Sequence, residues 1–332
     1  MLRLGIFSVN DYRPAPPGAP RIVRMAFTSR RVSLQLLRTS VPVSVVELQV
    51  FQSLITNLRL SSGVYRTTYG GRLKDVDGVV NALLAKRRAP ESKLEVHDWA
   101  ASDCLTSSEW AASLFNLFPR LSFTASDLLL FLVEATLPDG SLFILEPNGH
   151  PLQYVRRPFV VRLEPPEPIL MLVNHLIGRR ALARFAKLQL QIPSAWLESE
   201  EEDLSTATSA LRKLPLTHPE ARTLEANESR FATCLHSAFE PLDRPVDVIR
   251  TMNIYNRAYF PPARLLEGAS AVWKSLNKGG FWIVGRTIEE GEPRNDVTIL
   301  ERMDRGWRIV TRIGRGSEIE DLVISAGTAQ SQ

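Results

Sequence analysis

The sequence predicts an α/β protein whose main domain has a mostly parallel sheet that ends in an antiparallel hairpin. Two stretches of the chain carry this prediction. Residues 93–107, KLEVHDWAASDCLTS, contain a short apolar strand that ends at Asp98 and is followed by small residues and a helix. Residues 246–287 have the order strand, helix, strand, and Gly279 and Gly280 precede the second strand. Strands that alternate with helices are typical of a parallel sheet, because parallel neighbours need a long crossover connection.

The composition is that of a globular protein. Of the 332 residues, 44% are hydrophobic, which is enough for a large core. The 40 basic and 36 acidic residues nearly balance and are scattered, so a nucleic-acid partner is not expected. The start of the chain lacks the pattern of a signal peptide, and no apolar run reaches the ~18 residues of a transmembrane helix. We therefore expect a soluble, cytoplasmic protein.

Cysteines and histidines give no sign of a metal site. The two cysteines, Cys104 and Cys234, lie far apart in the sequence, and the five histidines form no cluster with them. Structural zinc sites need ligands at short, regular spacings. The sequence therefore predicts neither a disulfide framework nor a metal centre.

The N-terminal part of the chain is predicted to lie outside the sheet. Residues 1–20 are rich in proline and glycine and are interpreted as a flexible tail. Residues 21–91 are interpreted as a helical cap, since 41–60 and 76–86 have apolar residues at helical spacing. The spacing leaves open whether these helices cover a ligand or only pack on the sheet.

The main domain is predicted over residues 92–326, with an insertion at 131–215. After the first strand, residues 109–117 are predicted to be helical, and 120–127 form a second strand that ends at Asp127. Within the insertion, Asn148-Gly149 lies between two alternating segments and predicts a hairpin.

A basic amphipathic helix is predicted at residues 169–190. Its apolar residues lie on one side, and Arg180, Arg184 and Lys187 lie on another. Such a helix either packs at the protein surface with its charges in water or lies on a membrane or partner. The sequence leaves both readings open.

The last third of the chain completes the predicted sheet. Predicted strands occupy 230–237, 245–253 and 281–284, and a helix over 263–276 is expected to stop at the glycines of 277–280. Residues 297–302 and 307–311 alternate and are joined by a short polar link, which predicts the terminal hairpin. The result is a Rossmann-like sheet with an antiparallel edge.

This pattern resembles the class I S-adenosylmethionine-dependent methyltransferases. The resemblance rests on acids that close the first two strands, Asp98 and Asp127, and on the Gly279-Gly280 block before a terminal hairpin. It covers roughly residues 92–324, apart from the insertion. The family has glycines at alternate positions of the first loop, whereas this chain has Ala100, Ser102 and Cys104. Glycine is favoured where φ is positive, so these residues would be strained on the same path.

The resemblance implies S-adenosylmethionine as cofactor and gives roles to several residues. Asp127 would accept the ribose hydroxyls, and Asp98 would lie near the ammonium or sulfonium charge or orient the loop. Ser102, Thr106 and Ser107 could donate hydroxyl groups to the cofactor, or the last two could simply cap the helix. The implied cofactor-binding residues are Asp98, Ala100, Ser102, Asp127, Glu240 and Asn253, and the implied substrate-binding residue is Tyr255.

The sequence therefore predicts an S-adenosylmethionine-dependent methyltransferase that acts on a small molecule or a protein side chain. Methyl transfer needs alignment of a nucleophile and, for some acceptors, a base. Candidate bases are His97, His236 and Glu240, and the sequence does not choose among them. The alternative is a catalytically inactive methyltransferase-like binding or scaffolding protein. A nicotinamide-dependent oxidoreductase is disfavoured, because a G-x-G-x-x-G loop is absent. The sequence leaves open a homo-oligomer or a partner protein.

Overall fold

The computed structural model describes residues 4–12, 32–39, 43–61, 68–206, 208–289 and 292–329. The chain divides into two compact units. One comprises Met1–Thr67 and Phe131–Pro219, and the other comprises Thr68–Leu130 and Glu220–Gln332. We call them the antiparallel unit and the parallel unit, after their sheets. Residues 1–3 and 13–20 of the predicted tail, and residues 21–31 at the start of the predicted cap, lie outside the described residues.

The strands and helices are numbered in chain order. The strands are β1 Glu95–Trp99, β2 Ser122–Asp127, β3 Phe131–Thr136, β4 Leu142–Leu145, β5 Pro151–Arg156, β6 Phe159–Arg162, β7 Asp203–Ser205, β8 Ala210–Pro215, β9 Phe231–Leu235, β10 Val246–Met252, β11 Leu276–Ile288, β12 Arg294–Arg302 and β13 Trp307–Ile313. The α-helices are α1 Val45–Asn57, α2 Lys74–Arg87, α3 Leu105–Leu117, α4 Leu172–Leu188, α5 Ser194–Glu198, α6 Pro219–Asn227, α7 Pro262–Ser275 and α8 Glu320–Ala329.

The parallel unit contains a seven-stranded sheet in the order β13-β12-β11-β10-β1-β2-β9. Strands β9, β2, β1, β10 and β11 are mutually parallel, whereas β12 and β13 are antiparallel to their neighbours. The mostly parallel sheet predicted from the sequence is therefore confirmed. The predicted second strand and terminal hairpin correspond to β2 and to β12 with β13.

Helices cover both faces of this sheet. Side chains alternate between the two faces along each strand, so each face has its own packed cluster. On one face, Val96 and Val248 pack in a cluster with residues of α2 and α3, among them Leu84 and Trp110. On the other face, Trp99 and Trp282 pack in a second cluster with residues of α7 and α8. In the central strand β1, Val96 and Trp99 supply the apolar side chains to these two clusters, whereas Glu95, His97 and Asp98 are polar.

The glycines at residues 279 and 280 do not end a helix, contrary to the sequence prediction. Helix α7 ends at Ser275, and Leu276 is already extended and begins β11. Gly279 has a φ of +75°, and a Cβ on Gly280 would lie 2.9 Å from the carbonyl oxygen of Asp247. These glycines permit a close, irregular approach of β11 to β10, where the register shifts.

The antiparallel unit has a six-stranded sheet in the order β6-β5-β4-β3-β8-β7. The hairpin predicted at Asn148-Gly149 is confirmed, since β4 pairs with β5 in antiparallel fashion. In its turn, Gly149 has a φ of +87°, and Asn148 Oδ1 accepts a hydrogen bond of 2.9 Å from the backbone N–H of His150. This turn chemistry explains why the pair Asn-Gly was informative in the sequence.

The units divide the predicted cap. Helix α1 belongs to the antiparallel unit, together with the predicted insertion from residue 131 onward. Helix α2 belongs to the parallel unit, where Val76, Val80 and Leu84 pack in the core cluster of that sheet. No helix in the described ranges is long and apolar enough to cross a membrane.

Candidate cofactor site

The candidate site lies at the carboxyl edge of the parallel sheet. At this edge, residues 100–104 follow β1, Asp127 ends β2, and Asn253 follows β10. Because β1, β2 and β10 are parallel neighbours, their carboxyl ends meet at one edge. Ligands of open α/β sheets bind outside this edge.

The loop after β1 follows a left-handed path at alternate residues. The φ angles are 55° at Ala100, 57° at Ser102 and 63° at Cys104. A left-handed backbone is unfavourable by about 1–2 kcal/mol for a residue with a Cβ. The positive φ on which the predicted strain depends is therefore present at all three positions. Strain of this kind persists where the surrounding structure holds it, and it is common at ligand-binding loops.

Hydrogen bonds from the next strand hold the loop. The backbone N–H of Ala101 donates to the carbonyl oxygen of Ser126 at 2.9 Å. The N–H of Ser102 donates to Asp127 Oδ2 at 2.8 Å, and the N–H of Leu129 donates to Asp127 Oδ1 at 3.0 Å. Asp127, which was predicted to bind ribose, therefore also fixes the loop. A carboxylate has about four acceptor positions, and these backbone bonds use two of them.

We expect Ala100→Gly to raise the free energy of unfolding by about 0.5–1 kcal/mol. Glycine removes the left-handed penalty, although it also gains freedom in the unfolded chain. The matched control is Ala85→Gly on the exposed side of α2, which should lower stability by about 1 kcal/mol. Urea denaturation of the purified variants measures both changes. A loss of stability in both variants would show that the loop is not strained at residue 100.

Asp98 lies beneath the loop and is 3% exposed. Its Oδ2 accepts a hydrogen bond of 2.6 Å from Ser107 Oγ, and Arg250 of β10 donates to both carboxylate oxygens, with Nε at 3.0 Å from Oδ1. Arg250 Nη1 also lies 2.5 Å from Asp77 Oδ1 of α2. We call Asp77, Asp98 and Arg250 the buried triad. Of the two roles that the sequence allowed Asp98, this arrangement favours orientation of the loop, because Ser107 belongs to the helix that follows it.

The triad shares one cation between two buried acids. The Arg250 guanidinium is fully buried and lies 4.3 Å from the centre of the Trp110 ring. Burial alone would lower its pKa, but the two carboxylates outweigh burial and raise it. Burial raises the pKa of Asp77 to about 7, against the opposing effect of Arg250. Arg250 therefore remains charged, while Asp77 takes up a proton near neutral pH.

Asn253 occupies the bend after β10, with a φ of 64°. Its backbone N–H donates to the carbonyl oxygen of Gly285 at 2.9 Å, and its Oδ1 accepts from the N–H of Thr287 at 2.8 Å. These bonds hold the ends of β10 and β11 together. Asn253 thus lies at the predicted edge, with its side-chain oxygen bonded to the neighbouring strand.

Tyr255 and Glu240 lie in different surroundings. Tyr255 is 3% exposed, and its hydroxyl donates to the carbonyl oxygen of Ala238. Its ring packs so closely on α7 that a Cβ on Gly268 would overlap Tyr255 Cε1. Burial raises the Tyr255 pKa well above its usual range. The predicted substrate residue is therefore a core residue in this structure, whereas Glu240 is exposed on the segment after β9.

The candidate bases His97 and His236 lie near one another on the α7 side of the sheet. Burial, with a smaller effect of the nearby His236, lowers the pKa of His97 to about 4. Burial also lowers the pKa of His236, against the raising effect of Glu240. The His236 ring lies 4.8 Å from that of Trp99, and the two rings are tilted. Both histidines are therefore neutral at physiological pH, the state in which a histidine accepts a proton.

Sequence reasoning missed Arg250 and Asp77. A signal for Arg250 was present, because a basic residue interrupts the apolar strand VDVIRTM. Asp77 gave none, since acids are common in the first turn of a helix. Among the described residues, no group of three or more His, Cys, Asp or Glu side chains is arranged to hold a metal ion.

No known family of sequences and no curated protein matches this chain. Comparison with solved structures finds methyltransferases. A sugar N-methyltransferase of Streptoalloteichus sp. is 12% identical, with 82% of this chain and 88% of that chain covered and a TM-score of 0.31. An O-methyltransferase of neocarzinostatin biosynthesis, in complex with S-adenosyl-L-homocysteine, is 10% identical, with coverage of 67% and 44% and a TM-score of 0.26.

The protein PKMT2 of Rickettsia typhi, in complex with AdoHcy, is 8% identical, with 60% of this chain covered and a TM-score of 0.26. The match spans only 22% of the length of that protein. The structural neighbours are thus of the same class that the sequence resembles. At such low identities and TM-scores, these matches define neither the activity nor the site of this chain.

Proposed function

We propose that the chain is an S-adenosylmethionine-dependent methyltransferase whose cofactor binds at the carboxyl edge of the parallel sheet. The observation that carries the proposal is the loop after β1. Ala100, Ser102 and Cys104 all adopt the left-handed conformation for which the resembled family uses glycine. Without glycine, this left-handed backbone costs about 1–2 kcal/mol per residue. Costly backbone conformations of this kind are concentrated at ligand-binding sites, which supports a ligand at this loop.

The residues at this edge fit the cofactor in part. Asp127 is half-buried at the end of β2, where its carboxylate suits a ribose diol. The loop backbone would pass beneath the cofactor, and Asn253 would flank it. Asp98 does not fit as a direct contact, because Ser107 and Arg250 use its buried carboxylate. It would instead act as a positioning residue that connects β1 to the start of α3.

When bound, the cofactor supplies an activated methyl group on a sulfonium. The chain would contribute alignment of the acceptor and exclusion of water. Both histidines are neutral and can accept a proton, but burial lowers the pKa of His97 to about 4, which makes it a weak base. No contact in the structure selects His236 or Glu240 in its place. The acceptor is a small molecule or a protein side chain, and we propose a cytoplasmic location.

Calorimetric titration of the full chain with S-adenosylmethionine and S-adenosylhomocysteine tests the proposal. We expect saturable binding to the wild-type protein and a loss of at least about tenfold in affinity in Asp127→Asn, since one charge-assisted contact contributes about 1.5–3 kcal/mol. The matched control is Asp304→Asn. Asp304 lies in the turn between β12 and β13 and forms an exposed ion pair with Lys278 of β11. Binding by the control must equal that of the wild type.

Two outcomes would overturn the proposal. Folded wild-type protein that ignores both ligands would favour the binding or scaffolding alternative. Saturable binding of NADH in place of S-adenosylmethionine would favour an oxidoreductase. Asp98→Ala is a poor test of binding, because it leaves Arg250 with an incomplete set of partners in the core.

A further inference from the structure

The start of helix α4 and the single turn Ile169–Met171 before it, both in the antiparallel unit, expose an unusual apolar surface. Ile169, Leu170 and Leu172 are 75%, 79% and 52% exposed, and Val173 and Leu176 are 41% and 45% exposed. We call these five residues the α4 apolar patch. Surface helices of globular proteins usually turn polar side chains to water. A contiguous exposed apolar surface is typical of a site that binds a protein or a membrane.

The other side of α4 already has its packing partners. Gly178 lies so close to β6 that a Cβ there would be 3.1 Å from Val161 Cγ1, and the rings of Phe185 and Phe143 lie 5.0 Å apart. Asn174 and Ala181 are buried on this side as well. The apolar patch is therefore additional to the side that anchors the helix, and packing within the unit does not explain it.

Basic residues continue the exposed side of the helix. Arg179, Arg180 and Lys187 are exposed, and α4 contains no acidic residue. Arg184 is paired with Asp139 through a 2.9 Å contact. The acid that precedes the helix, Glu167, contacts the backbone N–H of Arg162 through Oε1 at 3.4 Å. The surface thus has an apolar end followed by at least three cations.

We infer that α4 docks on an anionic lipid surface, with the apolar patch inserted among the acyl chains and Arg179, Arg180 and Lys187 at the headgroups. An anionic bilayer complements both halves of this surface, whereas a neutral apolar protein groove would complement only the first. Peripheral helices bind bilayers through this combination of apolar area and cationic side chains.

Co-sedimentation of the full chain with vesicles tests the inference. Vesicles of phosphatidylcholine with phosphatidylglycerol should bind the protein, and binding should weaken at high salt and with phosphatidylcholine alone. Arg179→Gln with Arg180→Gln should weaken binding by about thirtyfold, since each cation near the surface adds about a factor of five. Ile169→Ser with Leu170→Ser should reduce binding by at least tenfold, as apolar area leaves the acyl chains.

The matched control is Val45→Ser with Val46→Ser, which changes exposed apolar residues of α1 in the same unit. This variant should bind vesicles as the wild type does, and all variants should keep the wild-type circular dichroism spectrum. The inference is overturned if the wild type does not sediment with anionic vesicles, or if the α4 variants bind as well as it does. A dimer in solution that the Ile169→Ser, Leu170→Ser variant dissociates, without vesicle binding, would assign the patch to a second copy. The calorimetric titration with S-adenosylmethionine tests a site in the parallel unit, so failure of the vesicle experiment and failure of the proposed function can be told apart.

Discussion

Replacing Arg250 with methionine should lower the free energy of unfolding by about 3–5 kcal/mol. The substitution leaves Asp77 and Asp98 buried without their cation, and breaking a buried ion pair from one side has this effect. It also removes the contact of the guanidinium with the Trp110 ring. Urea denaturation of wild type and variant at neutral pH measures the difference. The exposed pair Arg257 and Asp321 gives a control, since Arg257→Met should change stability by less than about 1 kcal/mol.

A triple variant separates charge from packing. With Arg250→Met, Asp77→Asn and Asp98→Asn together, no buried charge remains in the triad, and most of the lost stability should return. The amide oxygen introduced at residue 98 could still accept the hydrogen bond that Ser107 donates in the wild type. If the triple variant is no more stable than Arg250→Met, the damage comes from lost volume and not from the uncompensated acids.

Asp77→Asn should change how stability depends on pH. The Asp77 pKa is raised from 3.8 to about 7 in the folded chain, mainly by burial. Between these values the folded chain holds a proton that the unfolded chain has lost, so stability falls as pH rises. Its contribution is fully present below about pH 4 and is lost above about pH 7. Asp77→Asn has no carboxyl proton to lose at this position. The free energy of unfolding of the variant should therefore rise relative to that of the wild type as pH rises through this window.

The free energy of unfolding of the variant should rise relative to that of the wild type by at most about 1.4 kcal/mol per pH unit within the window. This is the free-energy change per pH unit when the folded and unfolded states differ by one bound proton. Denaturation midpoints of both proteins across the window give the slope. Asp304→Asn, at an exposed surface pair, controls for the general effect of an amide substitution. Parallel curves for Asp77→Asn and wild type would show that Asp77 is ionised throughout, with Arg250 fully compensating it.

Much of the secondary structure of the parallel unit could be predicted, because the patterns that indicate its strands involve residues that are neighbours in the sequence. Strand β2 ends at the predicted Asp127, and the pair β12 and β13 follows from alternation and a short polar link. The strain at Ala100, Ser102 and Cys104 was also foreseeable, since residue type and backbone conformation are coupled at each position. The glycines at 279 and 280 were misread, because glycine marks a helix end and a close strand approach equally well.

The sequence by itself determined the alternation of strands and helices, the acid one residue before the end of β1, the acid that ends β2, and the residues of the left-handed loop. These properties depend on local periodicity and local steric limits. Only the tertiary structure decided that Asp98 pairs with Arg250 and Asp77, that Tyr255 is buried, and that α4 has a second apolar side. Each depends on contacts between segments far apart in the chain, such as the 152 residues between Asp98 and Arg250, and sequence spacing does not specify which distant side chains share a buried site.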